Sequence, residues 1–387
     1  MGSFLHREKV LIIGSGISGL TLAQILRKAE IEFELFERDG ETRAQGWSIG
    51  LDKCLPYLEG LLPDDIEPFE AASANYGRGR DDGFTIVDGQ SHEILGITSL
   101  SHNPGTSYGM FVSRNRLRRI LSKHLNIRYN KQFLEYEANE DGVTVRFKDG
   151  STAKGTILVG ADGASSSVRS QLLPGFRAIE SQYTMLHGNV ILPKEVYDPV
   201  LEHSGCGVLA ASPGLKFYLL LEQYLEDGAR FSWNCSWRGA DWQADHVWSQ
   251  RASQQDLFQR ALKELHYFPE YVLRAIKMTG PDGMQVPPIR LLETVLPDEG
   301  LLHGRVTLVG DSAHSMVPFR GMGANTAIID ACELGRGIID VVRIGGDTVE
   351  MLRSYTKIMA SRGRKEVLES RATGESLDAR EVAGGRI

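Results

Sequence analysis

Cysteine is scarce in this sequence: only four of the 387 residues are cysteines, and no two form a CxxC pair. The four are Cys54, Cys206, Cys235 and Cys332. Their wide separation argues against a zinc knuckle, an iron–sulfur site and a disulfide framework, so no metal site is predicted. Buried free thiols in a reducing compartment are the simpler interpretation.

Positive charge and long apolar stretches are also in short supply. Lys and Arg number 43 against 50 Asp and Glu, a net charge of −7 at pH 7, which argues against nucleic acid as a partner. No run of about 18 apolar residues occurs, so we expect no transmembrane segment. Residues Met1 to Lys9 lack the pattern of a signal peptide. These absences predict a soluble cytoplasmic protein. The sequence leaves open whether it is a monomer or a homodimer.

Glycine, in contrast, is abundant, with 42 residues that fall in separate clusters rather than in a Gly/Ser tract. The first cluster, Gly14-x-Gly16-x-x-Gly19, follows an apolar strand, Val10–Ile13, and precedes an amphipathic helix that reaches to about Ala29. A strand, a glycine-rich turn and a helix in this order are typical of a dinucleotide-binding site. The alternative is a tight turn without a ligand.

Each glycine of this first cluster has a distinct role in such a site. Gly14 permits the tight turn, Gly16 lets a pyrophosphate approach the helix N-terminus, and Gly19 lets the helix pack close to the strand. Glu37 follows the second predicted strand, Phe33–Phe36, where a carboxylate accepts hydrogen bonds from ribose hydroxyls. Because this carboxylate would repel a 2′-phosphate, the site favours FAD or NAD over NADP.

A second cluster starts at Gly160, where the predicted strand Thr156–Val159 delivers Asp162 and Gly163 to a turn. The serines that follow and Arg169 are donors suited to phosphate. Alone, this stretch is equally typical of a plain Asp-Gly turn.

A third cluster follows the predicted strand Arg305–Val309 and begins at Gly310 and Asp311. Asp311 can accept a hydrogen bond from a sugar-like hydroxyl. The segment Pro318–Asn325 then opens a long predicted helix, about 323–342, whose N-terminus offers amides to a developing anion.

The region from about 180 to 290 is rich in aromatic residues and alternates like an antiparallel sheet with one wet face. Helices are predicted over 114–125, 254–277 and 348–369, and the tail after Arg371 is expected to fray. The organisation is therefore α/β and discontinuous. A nucleotide-binding domain is predicted from residues 1–70, 105–180 and 285–345, a substrate domain from 71–104 and 181–284, and a C-terminal helix and tail from 346–387.

The three clusters, in this order and at these separations, resemble the fingerprints of the class A, para-hydroxybenzoate hydroxylase-like flavoprotein monooxygenases, which include many fungal natural-product enzymes. The resemblance covers nearly the whole chain, although the inserted sheet matches in pattern only. It implies a GR2-type Rossmann-like FAD-binding domain with an inserted, mostly antiparallel substrate sheet. It also implies tightly but non-covalently bound FAD, NAD(P)H as a transient reductant, and O2 and a small molecule as substrates.

The resemblance further assigns residues to the two ends of the cofactor. On the adenosine side it implies the pyrophosphate at Gly14, Gly16 and Gly19, the ribose at Glu37 with the basic Arg38 beside it, and an FAD contact from Arg114 in an Arg-x-x-Leu pattern. A solvated charge on the helix is the alternative for Arg114. On the flavin side it implies that Asp162 and Gly163 belong to a motif that contacts both FAD and NAD(P)H, and that Asp311 binds the ribitol. The residues implied along the isoalloxazine are Gly321, Gly323 and Asn325. The segment Gly46–Gly50 is implied to run past the same ring, with Trp47 or Ile49 close to it.

The reaction implied is hydroxylation or epoxidation of an electron-rich small molecule through a flavin C4a-hydroperoxide, which needs a closed apolar pocket. His187 is the candidate acid–base residue, with an ordinary sheet histidine as its alternative. Many relatives carry Arg followed by Gly where this sequence has His187 and Gly188. His314, in the third cluster, is expected to be structural.

Other readings share parts of this pattern. A flavin-dependent halogenase shares the fold, but its Trp-x-Trp-x-Ile-Pro segment is absent from the sequence. A flavin-dependent reductase or desaturase and a non-catalytic flavin-binding redox module remain alternatives. A simple NAD dehydrogenase is disfavoured, because the second and third clusters would have no role in it.

Overall fold

The computed structural model describes residues 8–41, 47–78, 82–98, 109–297 and 304–378. The strands in these ranges are β1 (Lys9–Ile13), β2 (Glu32–Phe36), β3 (Ser48–Leu51), β4 (Phe84–Asp88), β5 (Ile94–Ile97), β6 (Met110–Ser113), β7 (Ile127–Arg128), β8 (Phe133–Ala138), β9 (Val143–Phe147), β10 (Thr152–Gly155), β11 (Ile157–Gly160), β12 (Ile179–Glu180), β13 (Thr184–Leu192), β14 (Gly207–Ser212), β15 (Leu215–Leu225), β16 (Gly228–Trp237), β17 (Leu292–Glu293) and β18 (Val306–Leu308). The helices are α1 (Ile17–Lys28), α2 (Leu55–Leu58), α3 (Arg114–Ser122), α4 (Ser167–Leu172), α5 (Lys194–Tyr197), α6 (Trp242–Ser249), α7 (Gln254–Glu264), α8 (Glu270–Thr279), α9 (Asp311–His314), α10 (Met322–Ile344) and α11 (Thr348–Asp378). Short 3-10 helices span Phe69–Ala72, Pro281–Gly283 and Pro318–Arg320.

A five-stranded parallel sheet in the order β18-β11-β1-β2-β7 forms the first layer. Its central strand β1 is the apolar run seen in the sequence, and Val10, Leu11 and Ile12 have no exposed surface. Such a run suits a parallel strand that is covered on both faces. Helices α1 and α10 pack against each other over this sheet. The predicted βαβ opening and the α/β class are confirmed.

A six-stranded sheet in the order β13-β16-β15-β14-β4-β5 forms the second large layer. All its pairings are antiparallel except that between β14 and β4. One face buries Phe217 and Trp233 together with side chains of α7 and α8. Polar side chains alternate with these apolar ones along β15 and β16, and therefore point to the opposite face.

The structure corrects three predicted helix boundaries. The stretch 254–277 is two helices, α7 and α8, and Pro269 stands at the N-cap of the second, since proline has no N–H to continue a helix across this point. Helix α3 ends at Ser122 rather than at 125. Helix α11 continues past Arg371 to Asp378. The prediction that the chain frays after Arg371 is therefore wrong for the residues up to Asp378. The reason is tertiary anchoring: Arg371 Nε lies 2.7 Å from a carboxylate oxygen of Glu293.

None of the described helices combines the length and apolar content that a membrane span requires. Within the same ranges, no group of three or more His, Cys, Asp or Glu side chains is arranged to hold a metal ion.

Candidate functional site

The turn after β1 contains two kinds of glycine. Gly14 has a φ of +110°, and a Cβ on it would lie 2.3 Å from the carbonyl oxygen of Ala161. A Cβ on Gly19 would lie 2.1 Å from the oxygen of Gly14. A Cβ on Gly16 would meet nothing within 4 Å. Gly14 and Gly19 thus serve the tight turn and the close packing that the sequence predicts, whereas Gly16 presents its open side at the N-terminus of α1.

The carboxylate of Glu37 lies over this turn. Its Oε2 accepts hydrogen bonds from the backbone N–H and the hydroxyl of Ser15, at 2.9 and 2.8 Å. The parallel pairing of β1 and β2 brings the two strand ends together and places Glu37 beside the open side of Gly16. The half-exposed side chain of Arg38 lies 3.6 Å from Asp39. The structure therefore brings Glu37 to the turn, and the role of Arg38 beside the ribose stays a prediction.

Helix α3 contributes an arginine that the sequence analysis missed. Arg118 Nε donates a hydrogen bond to the carbonyl of Ser15 at 3.3 Å. Arg114, one helical turn earlier, begins α3 and donates its backbone N–H to the carbonyl of Trp47 at 3.3 Å. Residues four apart lie on the same face of a helix. Arg114 and Arg118 therefore share one face of α3, and the side chain of Arg118 contacts the glycine turn.

Asp162, in the second cluster, has one satisfied and one orphaned oxygen. Its Oδ2 accepts from the backbone N–H groups of Ser167 and Val168 at the start of α4, at 2.7 and 3.2 Å. Its Oδ1 is buried and has no hydrogen-bond partner among the described residues. Burial raises the pKa of this carboxyl. A Cβ on the neighbouring Gly163 would meet nothing within 4 Å, so the open space here lies beside the Gly163 backbone rather than at the buried Oδ1.

Arg169 was predicted as a phosphate donor, and this prediction is wrong. Its two terminal nitrogens donate to the carbonyls of Ser312 and Ala164, each at 2.7 Å, and the side chain is buried. The guanidinium instead ties the second cluster to the third.

The third cluster is placed against the first. A Cβ on Gly310 would lie 2.9 Å from the hydroxyl of Ser18 in α1, so the end of β18 adjoins the start of α1. Asp311 follows and is exposed, in contrast to the buried Ser312 and His314 after it. The structure thus leaves the Asp311 carboxylate accessible beside the glycine turn.

The N-terminus of α10 also faces open space. A Cβ on Gly321 would meet nothing within 4 Å, and one on Gly323 would meet only a Met316 carbon at 4.0 Å. Asn325, in contrast, is buried. Its Oδ1 accepts from the N–H groups of Asp52 and Cys54, and its Nδ2 donates to the carbonyls of Gly50 and Gly321. Its amide therefore holds the segment after β3 against α10.

Strand β3 links this open region to the six-stranded sheet. Ile49 is half-buried and pairs with Val112 of β6. The ring of Trp47 lies 5.9 Å from the ring of His187, centroid to centroid, and the N–H of Ser48 donates to the hydroxyl of Ser232 at 3.3 Å. Gly46 lies outside the described residues. The polar face of the sheet therefore looks towards β3.

His187 is buried in the centre of that face. Its Nδ1 lies 3.0 Å from Asn234 Oδ1, its register partner on β16, and its Nε2 lies 3.4 Å from Asn189 Nδ2. Because Asn234 Oδ1 can only accept, these partners suit an imidazole that carries its proton on Nδ1. Nε2 is then an acceptor on the face that looks towards Trp47.

Three polar residues of β15 on the same face escaped the sequence analysis: Lys216, Tyr218 and Glu222. Tyr218 is the register partner of Asn234. The carboxylate of Glu222 accepts a hydrogen bond from the hydroxyl of Ser232, but its Oε1 has no partner among the described residues. Burial raises the pKa of Glu222 to about 7. The alternation that puts these three side chains on one face is interrupted by Leu220.

His314 fits the structural role expected of it. Its Nε2 lies 2.5 Å from a carboxylate oxygen of the buried Asp330, whose other oxygen lies 2.9 Å from Arg362. Burial opposes the charges of both His314 and Asp330, but their attraction outweighs it: the pKa of Asp330 is lowered and that of His314 raised. A Cβ on Gly363 would come within 2.7 Å of the His314 side chain. Glycine there lets α11 close over the network.

The chain matches known proteins along most of its length. A family model described as an FAD binding domain matches residues 96–370, and one described as an NAD(P)-binding Rossmann-like domain matches residues 12–48. The FAD-dependent monooxygenase thnD of Trichoderma harzianum is 31% identical over 378 residues, which cover 94% of this chain and 92% of that protein. The FAD-dependent monooxygenase phnB of Penicillium herquei is 28% identical over 95% of this chain and 90% of its own.

The fold is also that of a solved flavoprotein. The structure of Klebsiella pneumoniae HpxO, complexed with FAD and uric acid, superposes with a TM-score of 0.76 over 98% of this chain and 90% of that one, at 24% identity. The glycine turn and the open side of Gly16 have the shape that a dinucleotide cofactor requires. The chain therefore belongs to the FAD-binding family of flavoprotein monooxygenases, and FAD is its cofactor.

Proposed function

We propose that this monooxygenase uses NAD(P)H and O2 to hydroxylate or epoxidise an electron-rich small molecule held on the polar face of the six-stranded sheet. When bound, FAD supplies the electron transfer and the activation of oxygen, and the protein binds, orients and shields. The observation that carries the proposal is the contact between His187 and Trp47, whose ring centroids lie 5.9 Å apart. Trp47 immediately precedes β3, the strand that runs beside the proposed flavin site. The fungal relatives suggest that the substrate is a natural-product intermediate.

The cofactor side of the proposal assigns the three clusters to one FAD. The N-terminal amides of α1 at Gly16 would bind the pyrophosphate, since a helix N-terminus favours an anion. Glu37 would accept from the adenosine ribose, in place of or together with Ser15. Asp311 would accept from the ribitol, and the open backbone of Gly163, next to Asp162, would let the cofactor approach closely.

Two arginines and two glycines complete this assignment. Arg114 and Arg118 would supply positive charge towards the pyrophosphate from α3. Gly321 and Gly323 would let the isoalloxazine approach the N-terminus of α10, whose free amides favour negative charge on the ring. Asn325 would act through the backbone that it holds, and Ile49 through its place on β3.

The substrate side of the proposal rests on three register partners. His187, Asn234 and Tyr218 lie side by side on β13, β16 and β15. His187 would accept the proton of a substrate hydroxyl at Nε2, and Asn234 would hold its ring in the required tautomer from Nδ1. Tyr218 would donate to a substrate oxygen. The apolar ring of Trp47 would help to exclude water, and oxygen transfer to the substrate depends on that exclusion.

The domain division predicted from the sequence is part of the proposal. The five-stranded sheet lies in the segments assigned to cofactor binding, and the six-stranded sheet in those assigned to the substrate. The cytoplasmic location and the choice between monomer and homodimer stay predictions.

Labelled dioxygen tests the proposal. The purified enzyme with FAD would be screened for compounds that stimulate NAD(P)H oxidation, with phenols, indoles and isolated alkenes as the panel. A stimulating compound should then yield a product that contains one labelled oxygen atom. A product without the label contradicts oxygenation. Turnover that persists without oxygen indicates a reductase or desaturase, and stimulation by no compound favours a redox module.

A further inference from the structure

A lysine lies completely buried on the polar face of the six-stranded sheet. Lys216 has no exposed surface, although lysine is among the residues least often buried, because its charge loses hydration. Its Nζ lies 4.6 Å from the ring centroid of Tyr183 and 4.7 Å from that of Phe319. The ammonium is thus held between two aromatic rings, an arrangement that offsets part of the desolvation cost.

Phe319 connects this lysine to the cofactor region. It lies in the short 3-10 helix that leads into Gly321 and the N-terminus of α10. On its other side Phe319 meets α11, where a Cβ on Gly374 would lie 2.6 Å from the Phe319 ring. The rings of Tyr183 and Phe319 contact each other edge to face at 4.7 Å. Lys216 and α11 therefore fix the turn before Gly321 from two directions.

Lys216 differs from the other cationic residue on the described strands of this sheet because it is buried. The strands described for this sheet contain one other Lys or Arg, Arg230, and that residue is exposed. A buried charge is screened far less than an exposed one and acts over a longer distance. Lys216 is consequently the buried cation that this sheet directs towards the turn at Phe319.

We propose that Lys216 is a positioning residue for the flavin. It orients the turn at Phe319 and, through its charge, favours the anionic reduced form of FAD over the oxidised form. This inference rests on the proposed placement of the isoalloxazine beside Gly321 and Gly323. Two electrons and one proton convert oxidised FAD into its anionic reduced form, which adds one negative charge near a cation that has little water to screen it.

The test compares Lys216→Met, which removes the charge at similar length, with Lys216→Arg, which keeps it. Lys194→Met is the matched control, because Lys194 also contacts a tyrosine ring, Tyr197, but on the surface. FAD binding and the midpoint potential of bound FAD are measured by dye-coupled titration without substrate or NAD(P)H. These readouts can therefore fail independently of the oxygenation reaction.

Lys216→Met should shift the midpoint potential to more negative values, which corresponds to reduced FAD bound roughly threefold to tenfold less tightly relative to oxidised FAD. Lys216→Arg and Lys194→Met should stay near wild type. If the Met variant loses FAD altogether while the Arg variant keeps it, the charge requirement is supported. An unchanged potential in Lys216→Met overturns the proposal. So does an equal loss in the Met and Arg variants, since that outcome reports packing alone.

Discussion

The Nδ1 atom of His187 lies 3.0 Å from the side-chain oxygen of its register partner Asn234. This pair suits an imidazole with its proton on Nδ1, so that Nε2, which lies 3.4 Å from Asn189 Nδ2, is the basic nitrogen of the ring. We therefore predict that His187 takes part in the reaction as a base.

His187→Gln should retain FAD but lower kcat/KM by about 100-fold or more, the usual contribution of a general base. Glutamine preserves the approximate volume and a hydrogen bond to Asn234 but cannot take up the proton. His203→Gln, at an exposed histidine, is the control and should behave like wild type. The measurement is the steady-state rate with a stimulating compound; equal rates in both variants would remove His187 from the chemistry.

Gly14 and Gly16 should respond differently to the same substitution. Gly14→Ala should destabilise the fold by about 1–3 kcal/mol from its positive φ alone, and further through the contact with Ala161. Gly16 has an extended backbone with φ of −74°, which alanine adopts freely, so Gly16→Ala should fold normally. It should bind FAD about tenfold more weakly, equivalent to about 1.4 kcal/mol. Thermal unfolding without FAD and FAD titration separate the two effects, and a Gly16→Ala protein with wild-type affinity would contradict the assignment.

Asp311→Ala should fold normally and bind FAD at least about tenfold more weakly, because a cofactor hydroxyl loses the charged carboxylate to which it would donate. The side chain is exposed in the structure, so its removal costs the fold little. Asp340→Ala, an exposed aspartate on α10, is the matched control. Unaltered flavin content in the Asp311 variant would take this residue out of the site.

The buried pair His314 and Asp330 should make stability depend on pH. The pKa of His314 is raised above its ordinary value of 6.5. Its stabilising contribution is therefore fully present below pH 6.5 and is lost as the pH rises through the raised value. The lowered pKa of Asp330 acts in the opposite sense, with a contribution present above its ordinary 3.8 and lost in acid.

Asp330→Asn should destabilise the protein by about 3–5 kcal/mol, the usual cost of breaking a buried ion pair, and should flatten the decline of stability above pH 6.5. The measurement is denaturant unfolding of wild type and variant across pH 5–9. Parallel curves for the two proteins would show that the pair does not titrate as described.

Local patterns in the sequence were sufficient to predict the elements of the proposed cofactor site. The strand–glycine–helix order predicted β1 and α1, and the strand ends predicted the positions of Glu37, Asp162 and Asp311. These features are local because glycine, strand ends and helix N-termini act over a few residues.

Residues whose partners lie far along the chain could not be assigned in this way. Arg169 was misjudged because its carbonyl partner in Ser312 is 143 positions away. Asn325 bonds backbone groups more than 270 positions earlier. From the sequence alone Lys216 has the properties of a surface lysine, because its contacts with Tyr183 and Phe319 arise only in the folded chain. The break at Pro269, in contrast, was readable from the sequence.

An experimental structure of the protein loaded with FAD tests the central claim most directly, namely that three glycine clusters hold one cofactor with its ring between Gly321 and β3. We predict that the bound FAD places its ribose hydroxyls at Glu37, its pyrophosphate at Gly16 and its ribitol at Asp311. An FAD that binds elsewhere, or whose ring points away from the face that carries His187, would contradict it.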